Sequence, residues 1–171
     1  MTTVQQLLTS IDNINALDCC NETPLMCGTL SRNADLVRFL LDNGASVDRS
    51  NDYRRTALHF AASIHNNDNV LRLLIQRGAD VNATDHHQCQ PVDIAEGEAN
   101  LRCLLEAGAD PERALVAAAA CRLVDIVNEL IDGDVNVEAC SGGSRWSALM
   151  NADLCVFDCV SVAAARVRCR R

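Results

Sequence analysis

The sequence predicts an all-helical solenoid, built from stacked helix-turn-helix units that short hairpin-like loops connect. The clearest unit occupies residues 53–81 and holds one helix pair. Its Thr56 has a counterpart at Thr23, where the same pattern begins. A unit of this length cannot bury its apolar side alone, so it needs neighbours. The repeat therefore indicates a stacked array that acts through its surface.

The first two full units, which open near residues 23 and 56, share one scheme. The second helix of each carries apolar residues at i, i+1, i+4 and i+5, the spacing of a helix with one buried side. A glycine follows each helix, Gly44 or Gly78. Glycine reaches the left-handed conformation without steric cost and commonly ends helices, so these positions predict helix stops. The apolar residues are Leu36, Val37, Leu40 and Leu41 in the first unit and Val70, Leu71, Leu74 and Ile75 in the second.

The third unit, near residue 90, is shortened. The distance along the chain from Gln90 to Gly108 is smaller than the distances between the matching positions of the first two units. This spacing predicts a short first helix. Pro111 follows so soon that we expect no hairpin-like loop before the fourth unit, which opens near residue 113 and stops at Gly133.

Both ends of the array are incomplete. Residues 4–8 are predicted to form the outer helix of a partial N-terminal unit, and an incomplete fifth unit begins near residue 147. We therefore assign residues 1–150 to one repeat domain. Residues 151–171 are interpreted as a degenerate C-terminal cap or tail.

Composition narrows the function classes. Aromatic residues make up 3% of the chain, so the core depends on close stacking of Ala and Leu. The net charge of −8 disfavours nonspecific binding to nucleic acid or to an anionic membrane surface. The longest apolar run, residues 114–121, is far shorter than the roughly 20 residues that span a bilayer. No leader-like start is present, so we expect an intracellular monomer, in the cytoplasm or nucleus.

The ten cysteines are interpreted as reduced thiols. Cys27, Cys103 and Cys121 fall at apolar positions of predicted helices, where a free cysteine behaves as a small hydrophobe. Cys19 and Cys20 are adjacent in a loop, and neighbours of this kind seldom bridge each other without strain.

No pattern in the chain predicts catalysis, a cofactor or a metal. The sequence around His86, His87 and Cys89 offers metal-ligand types, but zinc needs four ligands in tetrahedral geometry and no CxxC pair supplies the remainder. The Gly142-Gly143 pair lacks the lysine and the helix pattern of a phosphate loop. We expect no catalytic residue, no bound metal and no cofactor.

The chain resembles the ankyrin-repeat family, and the similarity covers about residues 4–150. It rests on Thr-Ala-Leu-His at residues 56–59 followed by Ala-Ala, on Thr-Pro-Leu at residues 23–25, on Gly-Ala turns at residues 44, 78 and 108, and on Asp-Val-Asn-Ala at residues 80–83. Gln90 and Asp93 depart from the family's Thr and His. The resemblance implies a protein partner bound on the concave face of hairpin tips and inner helices, with His59 in a structural role.

Transferring the repeat register implies a set of partner-binding residues. Two hairpin fingers, an inner-helix end and the finger position of the fifth unit supply them. Tyr and Arg are enriched at binding hot spots, which favours Tyr53 and Arg55. Trp146 is either a second hot spot or a lid over the Ala-rich helix of the fourth unit. The predicted set is Asp52, Tyr53, Arg55, Ser63, Ile64, His86, His87, Cys89 and Trp146.

We therefore predict a non-catalytic adaptor or scaffold that binds a target protein. Two alternatives stay open: a substrate receptor of a ubiquitin ligase, and an inhibitor that masks a kinase or a transcription factor. All 15 basic residues are arginine. This bias reflects either codon usage or protection from lysine-directed ubiquitination.

Overall fold

The computed structural model describes residues 13–133, and within that range the chain is entirely helical, as predicted. Seven α-helices and one 3-10 helix form four consecutive pairs. The elements are α1 (Pro24–Leu30), α2 (Ala34–Asp42), α3 (Ala57–Ala62), α4 (Asp68–Gln76), the 3-10 helix (Pro91–Ile94), α5 (Glu98–Glu106), α6 (Pro111–Ala120) and α7 (Val124–Asp132).

The pairs stack in chain order into two layers. The first helices of successive pairs pack on one another, from α1 through α3 and the 3-10 helix to α6, while α2, α4 and α5 form the second layer. The core lies between the layers and consists mainly of Leu, Val and Ala. Its largest fully buried apolar side chains are Leu25, Met26, Val37, Leu40, Leu58, Leu71, Leu74, Leu101, Leu104, Leu115 and Ile126.

Side chains at the helix starts fix where the first helices begin. Thr23 caps α1 by accepting a hydrogen bond from the N–H of Met26, 3.3 Å away. Asp110 caps α6 in the same way, through the N–H of Glu112 at 2.9 Å. Such caps pair N–H groups that the helix itself leaves without partners. Gly44, Gly78 and Gly108 have φ angles of 87° to 91°, which confirms the predicted left-handed stops.

The third pair carries the predicted shortening. Its first helix is a 3-10 helix of four residues, and α5 begins after Gly97, which has a φ of 88°. α6 then starts at Pro111, directly after the turn at Gly108, so no hairpin-like loop separates the third pair from the fourth.

The predictions for two of the cysteines are wrong. Cys27 and Cys121 are exposed, whereas Cys103 is buried as expected. Cys27 lies on the side of α1 that no other described helix covers, and Cys121 follows the last residue of α6, where the chain turns. α7 stops at Gly133 as predicted, but the φ of −79° shows that this glycine does not adopt the left-handed conformation of the other three stops.

The remaining sequence predictions fall outside the described residues. These are the partial N-terminal unit, the fifth unit near residue 147 with Trp146, and the segment 151–171.

Candidate protein-binding surface

Three short turns with the same hydrogen-bond pattern precede the first three helix pairs. In the middle turn, Oδ1 of Asn51 accepts bonds from the N–H groups of Tyr53 and Arg55, both at 3.0 Å. The backbone N–H of Asn51 closes the turn on the carbonyl of Arg55, also at 3.0 Å. Asp18 and Asp85 hold the same place in the other two turns. We call residues 18–22, 51–55 and 85–89 the finger row.

Hydrogen bonds join each turn to the next. The N–H of Asp52 donates to the carbonyl of Cys20 at 3.4 Å, and the N–H of His86 donates to the carbonyl of Tyr53 at 2.9 Å. Nδ2 of Asn21 also donates to Oδ1 of Asp52, 2.6 Å away. These bonds fix the positions of the three turns relative to one another.

A buried carboxylate links the second and third turns. Oδ2 of Asp85 accepts a bond from Nε of Arg55 at 3.2 Å, and the Asp85 side chain is only 1% exposed. Burial alone would raise the pKa of Asp85, but hydrogen bonds from the N–H groups of Cys89 and His87, together with Arg55, hold that pKa below its usual value. Arg55, a residue of the predicted site, therefore also stabilises the fold by pairing with this carboxylate.

His59 has the structural role that the resemblance implied. Its ring is fully buried and lies between Thr56 and the third turn. Nδ1 accepts a bond from the N–H of Thr56 at 3.2 Å, so the proton of the neutral ring sits on Nε2, which donates to the carbonyl of Cys89 at 3.1 Å. Burial lowers the pKa of His59, which keeps the ring neutral near pH 7.

The described residues of the predicted site divide by exposure. Tyr53 is the most exposed large apolar side chain of the row, with 60% of its surface accessible. Asp52, Ser63, His86 and His87 are also exposed, whereas Arg55, Ile64 and Cys89 are half-buried.

The structure brings only part of this set together. The finger residues share one row, but Ser63 and Ile64 follow α3, whose six residues span about 9 Å. Trp146 lies outside the described residues. The row itself is the continuous part of the predicted surface.

The row stops at the third turn, where an arginine takes the place of a fourth turn. Nη1 of Arg113 donates to the carbonyl of Gln88 at 3.2 Å and forms a short contact with Oδ2 of Asp93. The Asp93 side chain is 5% exposed, so this ion pair is largely shielded from water. Asp93 also accepts a bond from the N–H of Gln90 at 2.8 Å.

Sequence reasoning missed the residues that hold the row in place. They are Asp18, Asn51 and Asp85, and a repeated pattern in the chain marks their positions. An Asp or Asn stands at the same offset before the residue that opens each unit, which is Thr in the first two units and Gln in the third. Arg113 carried no comparable signal.

An open cleft lies at the C-terminal ends of the first helices, on the side away from the finger row. The 3-10 helix of the third pair is shorter than the first helices on either side of it, α3 and α6, which leaves space there. His65, Gly97, Glu98, Cys121 and Leu123 line the cleft. It contains none of the predicted site residues and no residue of the finger row.

Two thiols of the finger row, those of Cys89 and Cys20, have raised pKa values. Burial raises the pKa of Cys89, and the charges of Asp85 and Asp93 raise it further. A hydrogen bond with Cys19 raises the pKa of Cys20. The reactive form of cysteine is the thiolate, so these shifts oppose nucleophilic catalysis. The arrangement suits non-covalent contacts.

Comparison with known proteins supports this reading of the fold. A family model for ankyrin repeats, in three copies, matches residues 1–85. Inversin of Mus musculus is 33% identical over 87 residues, which cover 51% of this chain and 8% of that protein. The ankyrin repeat, SAM and basic leucine zipper domain-containing protein 1 of Chlorocebus aethiops is 34% identical over 96 residues, 54% of this chain and 20% of that protein. Alpha-latrocrustotoxin-Lt1a of Latrodectus tredecimguttatus is 36% identical over 86 residues, 48% of this chain and 6% of that protein.

The chain thus spans at most a fifth of the length of these relatives. None of the helices between residues 13 and 133 has the length and apolar character that a membrane crossing requires. Ankyrin repeats are in general modules for protein–protein interaction. The stacked helix pairs, the finger row and the matched repeats together show that this chain belongs to the ankyrin-repeat family.

Proposed function

We propose that the chain is a non-catalytic binding module that holds a target protein against its finger row, with Tyr53 as the central contact. One observation carries the proposal: a 60% exposed tyrosine stands at the tip of the middle turn, on backbone that neighbouring turns fix on both sides. Tyrosine supplies a large contact area with few rotatable bonds and is enriched at binding hot spots.

The rigidity of the row supports this role. Association costs less entropy when the binding groups already occupy their bound positions. The side chains of Asp18, Asn51 and Asp85 hold the three turns, and bonds between turns set their spacing. Tyr53 and the exposed His86 therefore meet a partner from prearranged backbone.

The absence of a catalytic role is also part of the proposal. The buried imidazole beside the third turn is that of His59, and its Nε2 faces the carbonyl oxygen of Cys89. Both ring nitrogens are thus occupied by structural bonds. A nucleophile needs a base within hydrogen-bond reach of its own sulfur or oxygen atom, and the His59 ring is already committed to other atoms.

We further propose that the chain acts inside the cell, as an adaptor or scaffold. Six cysteines between residues 13 and 133 are free thiols, and four of them are exposed. Exposed free thiols persist in reducing compartments and are oxidised outside them.

Affinity capture with quantitative mass spectrometry tests the proposed surface. The test variant is Tyr53→Ala/His87→Ala, which removes two exposed tips of the finger row. Arg55 is left in place, because its loss would strand the buried Asp85 carboxylate and disturb the fold.

The matched control is Arg38→Ala/Gln76→Ala, two positions on the second-helix layer. We expect the test variant to lose at least one partner that the wild type and the control both retain. Identical partner sets from all three proteins would overturn the assignment of the finger row.

A further inference from the structure

Two thiols and a carboxylate converge at the tip of the first turn. The Sγ atoms of Cys19 and Cys20 lie 3.8 Å apart, within hydrogen-bond distance of each other. The Asp18 carboxylate joins them, so that one ligand atom from each residue lies within 4.8 Å of the other two. All three residues are exposed and accessible to an ion from solution.

The separation of the sulfur atoms fits one particular kind of ligand. A tetrahedral zinc ion with Zn–S bonds of about 2.3 Å holds two thiolate sulfurs about 3.8 Å apart. The Sγ atoms of Cys19 and Cys20 have this spacing without any movement of the backbone. We propose that Asp18, Cys19 and Cys20 form a binding site for Zn²⁺ or a similar thiophilic divalent cation.

The turn holds the carboxylate ready for this role. Oδ1 of Asp18 accepts hydrogen bonds from the N–H groups of Cys20 and Glu22, both at 2.8 Å, which fixes the plane of the carboxylate. Among residues 13–133 no donor bonds to Oδ2, so that oxygen is available to a cation. Carboxylates that bind metals in proteins usually also accept hydrogen bonds from neighbouring groups, which fix their orientation.

The site is a property of the first turn and not of the repeat. The second turn has Asp52 and Tyr53 at the positions of the two cysteines, and the third has His86 and His87. The spacing of cysteines along the chain did not predict a site, because adjacent cysteines lack the CxxC separation and only the folded turn aligns their sulfur atoms.

Binding replaces two protons with one cation. Each thiol loses its S–H proton to solvent and donates its sulfur lone pair to the ion, while Asp18 binds through a carboxylate oxygen. No electrons are transferred. Three protein ligands leave one tetrahedral position, which water fills in the isolated chain.

Cobalt and zinc titrations of the full-length chain, kept reduced with a phosphine, test the site. Co²⁺ bound to thiolates absorbs in the near ultraviolet through charge transfer from sulfur, and added Zn²⁺ displaces it. Because the chain has ten cysteines, the quantity that matters is the difference between each variant and the wild type.

Three variants separate the ligands from other thiols. Cys19→Ser/Cys20→Ser removes the sulfur ligands. Asp18→Asn removes the carboxylate but preserves the turn, since Asn51 fills the same position in the second turn. Cys27→Ser removes an exposed thiol on α1 that is not part of the cluster.

We expect the Cys19→Ser/Cys20→Ser variant to bind one equivalent of Co²⁺ fewer than the wild type, with a matching loss of charge-transfer absorption. Asp18→Asn is expected to weaken binding at this site at least about tenfold, the size of effect that even an outer-shell partner has. Cys27→Ser should match the wild type. Equal stoichiometry and absorption in the double-serine variant, or unchanged affinity in Asp18→Asn, would overturn the proposal.

Discussion

At Asp93 the chain carries a carboxylate where the preceding unit has the imidazole of His59. His59 donates to the backbone of the next turn, but the third unit has no next turn to which it could donate. Arg113 reaches back from α6 instead, to Asp93 and to the carbonyl of Gln88. Asp93 thus replaces histidine in the unit that no further turn follows. The guanidinium of Arg113 supplies the hydrogen-bond donors at this end of the finger row.

Removing Arg113 should destabilise the fold. The Arg113→Met variant leaves the nearly buried Asp93 charge without its partner, which costs about 3 kcal/mol for pairs of this kind. Urea unfolding followed by circular dichroism measures the change. Arg38→Met is the control, because Arg38 pairs with Asp35 at the exposed surface and its loss should be too small to resolve. Equal effects of the two substitutions would contradict the role given to Arg113.

His59 should make stability depend on pH below about 6.5. Its folded-state pKa is lowered from 6.5 by burial, so the unfolded chain binds the proton more readily. The contribution of His59 is therefore complete above pH 6.5 and is lost as pH falls below it, at most by about 1.4 kcal/mol per pH unit. The depressed pKa of Asp85 acts in a separate, more acidic window, below its usual value of 3.8.

Urea midpoints at pH 7.5, 6.5 and 5.5 measure this dependence. His59→Gln, which has no titrating ring, is expected to be less stable at neutral pH but flatter across the series. His87→Gln, at an exposed position, should keep the wild-type profile. Parallel curves for the wild type and His59→Gln would show that His59 does not titrate between these pH values.

At the scale of elements, two buried amides join three successive helix pairs. Oδ1 of Asn100, at the start of α5, accepts a bond from the N–H of Asn67 at 3.1 Å, and its Nδ2 donates to the carbonyls of Ala62 and Ile64 at 3.1 and 2.7 Å. Nδ2 of Asn67 donates in turn to the carbonyl of Thr29 at 3.3 Å. These bonds pair the N–H of Asn67 and the carbonyl of Ile64, two backbone groups between α3 and α4 that would otherwise lack partners.

Replacing Asn100 should therefore destabilise the second helix pair as well as the third, to which Asn100 belongs. Asn100→Ala leaves the N–H of Asn67 and the carbonyl of Ile64 without partners, while the carbonyl of Ala62 keeps its bond from the N–H of Glu96. We expect a loss of about 2–4 kcal/mol in the free energy of unfolding. Asn128→Ala, on the exposed side of α7, is the control and should unfold like the wild type. A loss in Asn100→Ala no greater than in the control would mean that the amide bonds contribute little.

The helix pairs were more predictable than the bonds between them. The reduced distance along the chain from Gln90 to Gly108 was enough to predict a short first helix, because chain length limits how many turns a segment can form. Apolar periodicity identified α2 and α4 because their buried sides repeat at helical spacing. Cys27 was misplaced, because periodicity distinguishes the two sides of a helix but does not reveal which side a neighbour covers.

The candidate site was only partly predictable for a related reason. The register of the repeats placed Tyr53, His86 and His87 on adjacent turns, and the structure finds them exposed on one row. The ion pairs of Arg55 with Asp85 and of Arg113 with Asp93 depend on side chains that are distant along the chain. Local sequence patterns carry no information about such approaches.

At the scale of the whole molecule, the helical stack and the finger row have different extents. The stack continues to Asp132 within the described residues, whereas the row ends at residue 89, close to the end of the family match at residue 85. The fourth pair thus extends the core without adding a turn to the row. This division concentrates the proposed binding surface on the first three turns.

Site-specific photo-crosslinking tests the central claim most directly. A photoreactive phenylalanine analogue is placed at Tyr53 in one protein and at Arg38, on the exposed surface of α2, in another, and both are irradiated in cell extract. We expect crosslinks to a protein partner from position 53 that are absent from position 38 and that an excess of unlabelled wild-type chain suppresses. Crosslinks from position 38 alone, or crosslinks from position 53 that the competitor leaves unchanged, would contradict a partner bound on the finger row.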